Sequence, residues 1–272
     1  MKTPRKKTPR RPTVGDWYDY PQYYDLAFAE DTPVEADFFE AAAAKYAIGP
    51  VRSVLEPGCG GGRLVIEMAS RGYRAAGFDD NRRSIDYMTK KIARRKLPAV
   101  AYLGDMTDFS VAKPVDLAFN TFNTFRHLTT ETAAVRHLQC MSRAVRPGGL
   151  FILGFHLLPV DAAEECIERW QARRGKTRVS YTLRVLECDR RSGLEWLRVS
   201  MLVRDREQEL RLATEFPLRV YTIERVRKLF RAVPEWELCE TFDFLYDIEQ
   251  PVKFDADLAD AVFVLRRRGA RS

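Results

Sequence analysis

The chain has 272 residues, 46% of them apolar and 11% aromatic, enough for one large domain with a core, or one domain with a sizeable insertion. No uninterrupted apolar run of about 18 residues occurs, and the basic start MKTPRKKTPRRPT has no apolar segment behind it. A helical membrane span and a secretory signal are therefore not expected, and a cytoplasmic protein without membrane contact is.

The formal net charge of +7 is carried by the ends: residues 1–13 hold six basic residues and no acid, and residues 266–272 hold four more. The body between them is slightly acidic, so residues 1–15 and 269–272 read as solvated tails, with nucleic-acid contact the less favoured reading. Cys59, Cys140, Cys166, Cys188 and Cys239 are scattered, odd in number and never spaced Cys-x-x-Cys. That pattern suits a reducing compartment, offers no zinc site, and predicts buried small apolar residues.

Along the chain, a tyrosine-rich lead-in is followed by an alanine-rich helix over about 34–46, stopped by Gly49-Pro50. Residues 16–50 are read as a helical lid. Strands and helices then alternate: strand 51–55, helix 63–71, strand 74–78, helix 84–95, strands 99–103 and 115–119, helix 130–145 and a fifth strand 150–155. Alternation of this kind predicts a doubly wound, mostly parallel sheet covered on both faces, here over residues 51–160. From 161 to 220 the pattern becomes a helix (161–173) and three strands (176–188, 194–204, 208–220) with one polar face, an antiparallel insertion after strand five. A helix (222–231) and two strands (235–246, 260–267) within 221–268 complete a seven-stranded core sheet.

In an open parallel sheet, ligands bind beyond the carboxyl ends of the strands. The five core strands end at Glu56 with its glycines, at Asp79, at Asp105, at Asn120 and at His156. Gly58, Gly60 and Gly62 make Gly-x-Gly-x-Gly, with Arg63 where a dinucleotide fingerprint would have its last glycine. Glu56 at the mouth would repel a pyrophosphate and attract a cation. The pattern thus fits S-adenosylmethionine (SAM), which carries a sulfonium and an amino group but no phosphate, better than a nicotinamide or flavin dinucleotide.

Through "VLEPGCGGGRL", "GFDDN", "GDMTDF", "VDLAFNTFNTF" and "RPGGLFIL", residues 50–156 resemble the class I SAM-dependent methyltransferase family, Rossmann-like in fold. The resemblance implies that Glu56, Gly58, Gly60 and Gly62 line the methionine end of SAM and that Asp79 binds the ribose hydroxyls. It further implies that Asp105 accepts from the adenine amino group, that Met106 packs on the ring, and that Asn120 closes the methionine side. It also makes Tyr23 or Tyr24, in "YPQYYDLAF", the residue that closes over the cofactor.

Methyl transfer needs alignment and exclusion of water, together with a base if the acceptor is an amine or hydroxyl. His127 and His156 stand at the rim and are the candidate bases, while His137 is mid-helix. The chain has Asn120-Thr121-Phe122 where base-modifying enzymes carry a Pro-Pro-Tyr/Phe run, and no Pro-Cys nucleophile. The resemblance is closer to small-molecule N- and O-methyltransferases, with the insertion roofing the acceptor pocket or pairing subunits of a dimer, the chain otherwise being a monomer. The alternatives are an RNA or protein methyltransferase guided by the basic tails, and a non-catalytic SAM-binding module.

Overall fold

A computed structural model describes residues 13–159, 166–205 and 208–269. In chain order it contains β1 (Thr13–Val14), a 3-10 turn (Trp17–Asp19), α1 (Pro21–Ala27), α2 (Asp31–Tyr46), β2 (Ser53–Pro57), α3 (Arg63–Ser70) and β3 (Arg74–Asp79). There follow α4 (Arg82–Arg95), β4 (Ala99–Leu103), β5 (Val115–Asn120), a second 3-10 turn (Thr124–His127), α5 (Glu131–Ala144) and β6 (Val145–His156). The chain then forms β7 (Ile167–Arg174), β8 (Thr177–Asp189), β9 (Leu194–Asp205), β10 (Gln208–Arg219), α6 (Ile223–Ala232), β11 (Trp236–Phe242) and β12 (Asp260–Arg267).

Seven strands form the core sheet in the order β11-β12-β6-β5-β2-β3-β4. The five from β6 to β4 run parallel, and β12 and β11 close the far side antiparallel. Strand order reverses between β5 and β2, which opens a crevice at their carboxyl ends. The central strands are apolar on both faces, with Val54, Leu55, Leu117, Ala118 and Phe119 fully buried, as a sheet sandwiched between helices requires. One buried cluster joins this sheet to α5 and α6, and another joins its opposite face to α2, α3 and α4.

The second sheet, order β1-β10-β9-β8-β7, stands over the crevice. Val179, Tyr181, Val199, Met201 and Leu212 on its inner face pack against Trp17, Leu26 and Phe28 of the N-terminal segment. The helix expected over 161–173 is not there: Ile167–Arg174 is a strand, and residues 160–165 lie outside the described part. Local composition favours helix, but Trp170 stacks on Tyr181 of the next strand with ring centroids 5.0 Å apart, and cross-strand pairing overrides propensity. Residues 13 and 14, expected in a solvated tail, pair parallel with β10, while 1–12 lie outside the described part. The cysteines also differ from expectation, since only Cys59 and Cys140 are buried and Cys166 is exposed.

One buried ion pair clamps the two sheets together. Arg126 Nη2 lies 2.5 Å from Glu195 Oε1, with side chains 7% and 12% exposed. The same guanidinium donates from Nε to the Arg219 carbonyl (2.8 Å) and from Nη1 to Asn123 Oδ1 (3.3 Å). Glu195→Ala strips a buried cation of its counter-charge, so urea denaturation should show a loss of about 3 kcal/mol, whereas Glu195→Gln, which keeps an acceptor, should lose clearly less.

Candidate active site

At the carboxyl ends of the parallel strands lies a cavity of about 1160 Å³, floored by the core sheet and roofed by the second sheet and the N-terminal segment. Glu56, Gly58, Gly60 and Asp79 line it beside α3, while Asp105 and Met106 line it beyond β4. Tyr24, His127 and His156 line it as well, whereas Tyr23, Gly62 and Asn120 do not reach the wall.

The glycine loop is shaped by left-handed backbone. Gly60 has φ +51°, and a Cβ there would meet nothing within 4 Å, so its Cα side faces open space. Gly62 has φ +72°, and its Cβ would overlap the Met88 sulfur; its role is to seat the start of α3 against α4. Gly61 allows α1 to press on the loop, since a Cβ would come within 2.7 Å of Asp25 Oδ1 and 3.1 Å of Pro21 Cβ. Asp79 holds the loop from the neighbouring strand: Oδ2 accepts from Gly60 N–H (2.7 Å) and Oδ1 from Asn81 N–H (2.9 Å). Burial raises its pKa, against those two bonds.

Glu56 is 8% exposed, and its Oε2 has no hydrogen-bond partner. Burial pushes its pKa well above the usual carboxylate range; Arg63 opposes the rise, and Glu35 and Asp79 add to it. Asn120 uses its amide N–H on the Pro57 carbonyl (2.8 Å), leaving Oδ1 buried and equally unpartnered. Of these two acceptors without donors, Glu56 Oε2 belongs to the cavity wall and suits a ligand that brings N–H groups, a cationic one best. Asp105 is exposed, and its Oδ1 accepts from Thr107 N–H (2.7 Å) and Oγ1 (2.9 Å), a turn-closing role that leaves Oδ2 for a ligand.

Each rim histidine has a partner that the sequence did not reveal. His127 Nε2 lies 2.9 Å from Tyr18 Oη, and burial, aided by Arg126, lowers its pKa to about 4. His156 Nδ1 lies 2.6 Å from Asp260 Oδ1, and the pair is partly open to solvent. His137 is fully buried and joined through Nδ1 to the Met106 carbonyl (2.9 Å), so it props Met106 rather than facing the cavity. Tyr24 packs between Trp17 and Phe28, at centroid distances of 5.1 and 4.9 Å, and burial raises its phenol to about 12.

The turn after β5 carries backbone strain, with Phe122 at φ +60° and Asn123 at φ +73°. Asn123 Oδ1 accepts from His156 N–H (2.9 Å), so the turn sets the entry of that strand end. Arg63 and Glu35 form a buried pair, 2.5 Å apart, that ties α3 to α2, and Glu35 also accepts from Thr121 Oγ1 (2.6 Å). Proximity of oppositely charged residues so far apart in the chain leaves no mark in a single sequence. Among the described residues, no cluster of His, Cys, Asp and Glu could hold a metal, and no helix is long and apolar enough to cross a membrane.

The two glycines separate the loop's roles experimentally. Gly60→Ala should fold with a loss of about 1–2 kcal/mol for left-handed strain yet obstruct the cavity, whereas Gly62→Ala should lose more through its clash with Met88. Denaturation curves and ligand titrations on both variants measure the difference.

Residues 54–149 match a family model described as a methyltransferase domain. Over 102 residues the chain is 31% identical to a cypemycin N-terminal methyltransferase from Streptomyces sp, covering 38% of this chain and 41% of that protein. The chain thus spans about two fifths of the length of the curated relative it matches. An S-adenosylmethionine-dependent methyltransferase from Clostridium acetobutylicum ATCC 824 superimposes with a TM-score of 0.75 at 16% identity, over 93% of this chain and 99% of that one. The sugar N-methyltransferase KedS8 from Streptoalloteichus sp ATCC 53650 superimposes with a TM-score of 0.70 at 15% identity, over 99% and 100%. Sheet order, site position, domain match and superpositions agree: the chain has the class I SAM-dependent methyltransferase fold in its Rossmann-like form.

Proposed function

We propose that the protein transfers a methyl group from SAM to an amine nitrogen of a small-molecule acceptor. The observation that carries this reading is the buried, unpartnered acceptor Glu56 Oε2 on the cavity wall beside the glycine loop. It fits the amino end of SAM, and the open space above Gly60 takes close approach there. Asp79, with two lone-pair positions left beyond its backbone bonds, would take the ribose hydroxyls; Asp105 and Met106 would hold the adenine, and Tyr24 would close the site. Bound SAM supplies a methyl carbon already activated by its sulfonium.

The residues of the chain align the acceptor, exclude water and receive its proton. Among the described residues neither Glu168 nor Asp260, which line the acceptor side, is paired with a Lys or Arg, whereas Arg63 and Arg126 are held by Glu35 and Glu195, which favours an ammonium or amine over an anion. An amine acceptor is in keeping with the N-methyltransferases among the similar proteins. With Nδ1–H donated to Asp260, His156 presents the Nε2 lone pair as general base, the tautomer a proton acceptor needs. Tyr18 and His127 form the opposite wall, where the phenol, raised well above its ordinary value by burial, stays protonated and donates to Nε2.

Glu56→Gln keeps the shape of the side chain and removes its charge. Calorimetric titration should show SAM affinity reduced at least tenfold, about 1.4 kcal/mol or more, with thermal stability equal to the parent or higher because a desolvated carboxyl is gone. In the parent, SAM affinity should fall as pH drops through the raised Glu56 pKa, and the variant should lose that dependence. Unchanged affinity in Glu56→Gln would refute this placement of the cofactor.

His156→Asn should lower turnover by about 10²–10⁴-fold while leaving the SAM dissociation constant nearly as it was. Assays with an amino sugar, a peptide amino terminus and their hydroxyl counterparts test the acceptor, and preference for the hydroxyl compounds would overturn the choice of nitrogen. His127 and His137, both depressed to about 4 from 6.5, bind protons more readily when unfolded, so each removes stability as pH falls from about 6.5 to about 4. Raised acids such as Glu56 act in the opposite sense, so the test is a difference: His127→Asn should lose less stability than the parent over that interval.

A further inference from the structure

The outer face of the second sheet carries a charge pattern that the methyl-transfer site does not use. Arg173 of β7 stands directly opposite Arg178 of β8, and Arg178 directly opposite Arg204 of β9. Farther along the same face Arg184 stands opposite Arg198. All five are exposed. The carboxylates that pair with arginines on this face lie on β10, where Glu209 serves both Arg204 and Arg211 and Glu215 serves Arg198, while Glu187 of β8 stands opposite Trp196. Among the described residues no carboxylate pairs with Arg173, Arg178 or Arg184.

Like charges directly opposite one another destabilise a sheet. Strands are about 4.8 Å apart, so the three-arginine ladder packs its charges across about 10 Å. Charged residues commonly guard an exposed edge, which accounts for arginines on β7. That account does not extend to β8 and β9, which are interior strands. The ladder holds unused binding capacity for carboxylates, in guanidinium forks matched to them.

The free edge of β7 adds direction. Among the described residues it ends the sheet, which leaves its outward backbone groups for an added strand. We propose that this edge and the arginine face dock an extended acidic polypeptide segment, paired along β7 with alternate carboxylates over Arg173, Arg178 and Arg184. A second copy of the chain is disfavoured there because it would bring the same positive face. Nucleic acid fits less well, because the face offers one exposed aromatic ring, Trp196 at 45%, rather than a series of rings on which bases could stack.

The test is fluorescence anisotropy of a labelled alternating Glu-Val peptide, long enough to span β7, titrated with the full chain at low and high salt. A Lys-Val peptide and an oligouridylate of matched charge are the comparisons. The Glu-Val peptide should bind and weaken with salt, and Arg178→Glu and the pair Arg173→Gln/Arg184→Gln should each reduce its affinity at least tenfold with circular dichroism unchanged. Arg178→Glu also turns the ladder into two ion pairs and should melt about 2 °C higher. Tighter binding of the oligouridylate, peptide binding undiminished in the variants, or no peptide binding at low salt would each overturn the proposal; undiminished binding would assign the attraction to the basic chain ends instead.

Discussion

Burying the Glu56 carboxyl at the end of β2 with no donor for its Oε2 is an arrangement a ligand-free fold would not favour, and the cavity is organised around it. Its nearest compensating charge is Arg63, which Glu35 already holds in a buried pair. Arg63 therefore limits the desolvation of Glu56 without neutralising it, and a cationic ligand can still compete for the carboxylate. An unpaired Arg63 would approach Glu56 more closely and close the site to such a ligand. The Glu35–Arg63 pair thus connects stability to function: it fixes α2 against α3 and keeps Glu56 available.

A second constraint runs through Asn123. Its left-handed backbone and that of Phe122 are costly for residues with a Cβ, and the turn is held by what its side chain accepts. Oδ1 receives the His156 amide from the floor and Arg126 from the clamp that reaches Glu195 in the roof. Floor, roof and candidate base are therefore mechanically linked through one amide oxygen. The roof is thus joined to the proposed base His156 through Asn123, so substitutions in β9 near Glu195 would bear on that base as well as on stability.

The parallel core was legible because its strands are short apolar runs broken by glycine or acid at fixed intervals, a pattern that local physics imposes. Asp79 and Glu56 could be singled out because residues at strand ends face the crevice whatever the rest of the chain does. The insertion was less legible at β7, where Glu168–Arg174 favours helix until Trp170 meets Tyr181 of the next strand. The partners of the histidines were not legible at all: Tyr18 lies 109 residues from His127 and Asp260 lies 104 from His156. Nor could the sequence show that Gly62 serves Met88 and the start of α3 while Gly60 faces the cavity, since both occupy equivalent places in the repeat.

The two histidine pairs are unequal in a way that divides their labour. His127 is enclosed by Tyr18 and Phe216, at centroid distances of 5.6 and 5.3 Å, and burial holds it neutral far below pH 7. A proton placed there would be disfavoured by burial and by Arg126, which Asp80 only partly offsets, so His127 is better suited to orient Tyr18 than to retain a proton. His156 has other surroundings: Asp260 Oδ1 lies 2.6 Å from its Nδ1, and the pair is partly open to solvent. An acceptor held between the two walls would meet a buried surface on one side and a partly solvent-open one on the other. Asymmetry of that kind suits the proposed reaction, in which one wall would position the nucleophile and the other would take its proton.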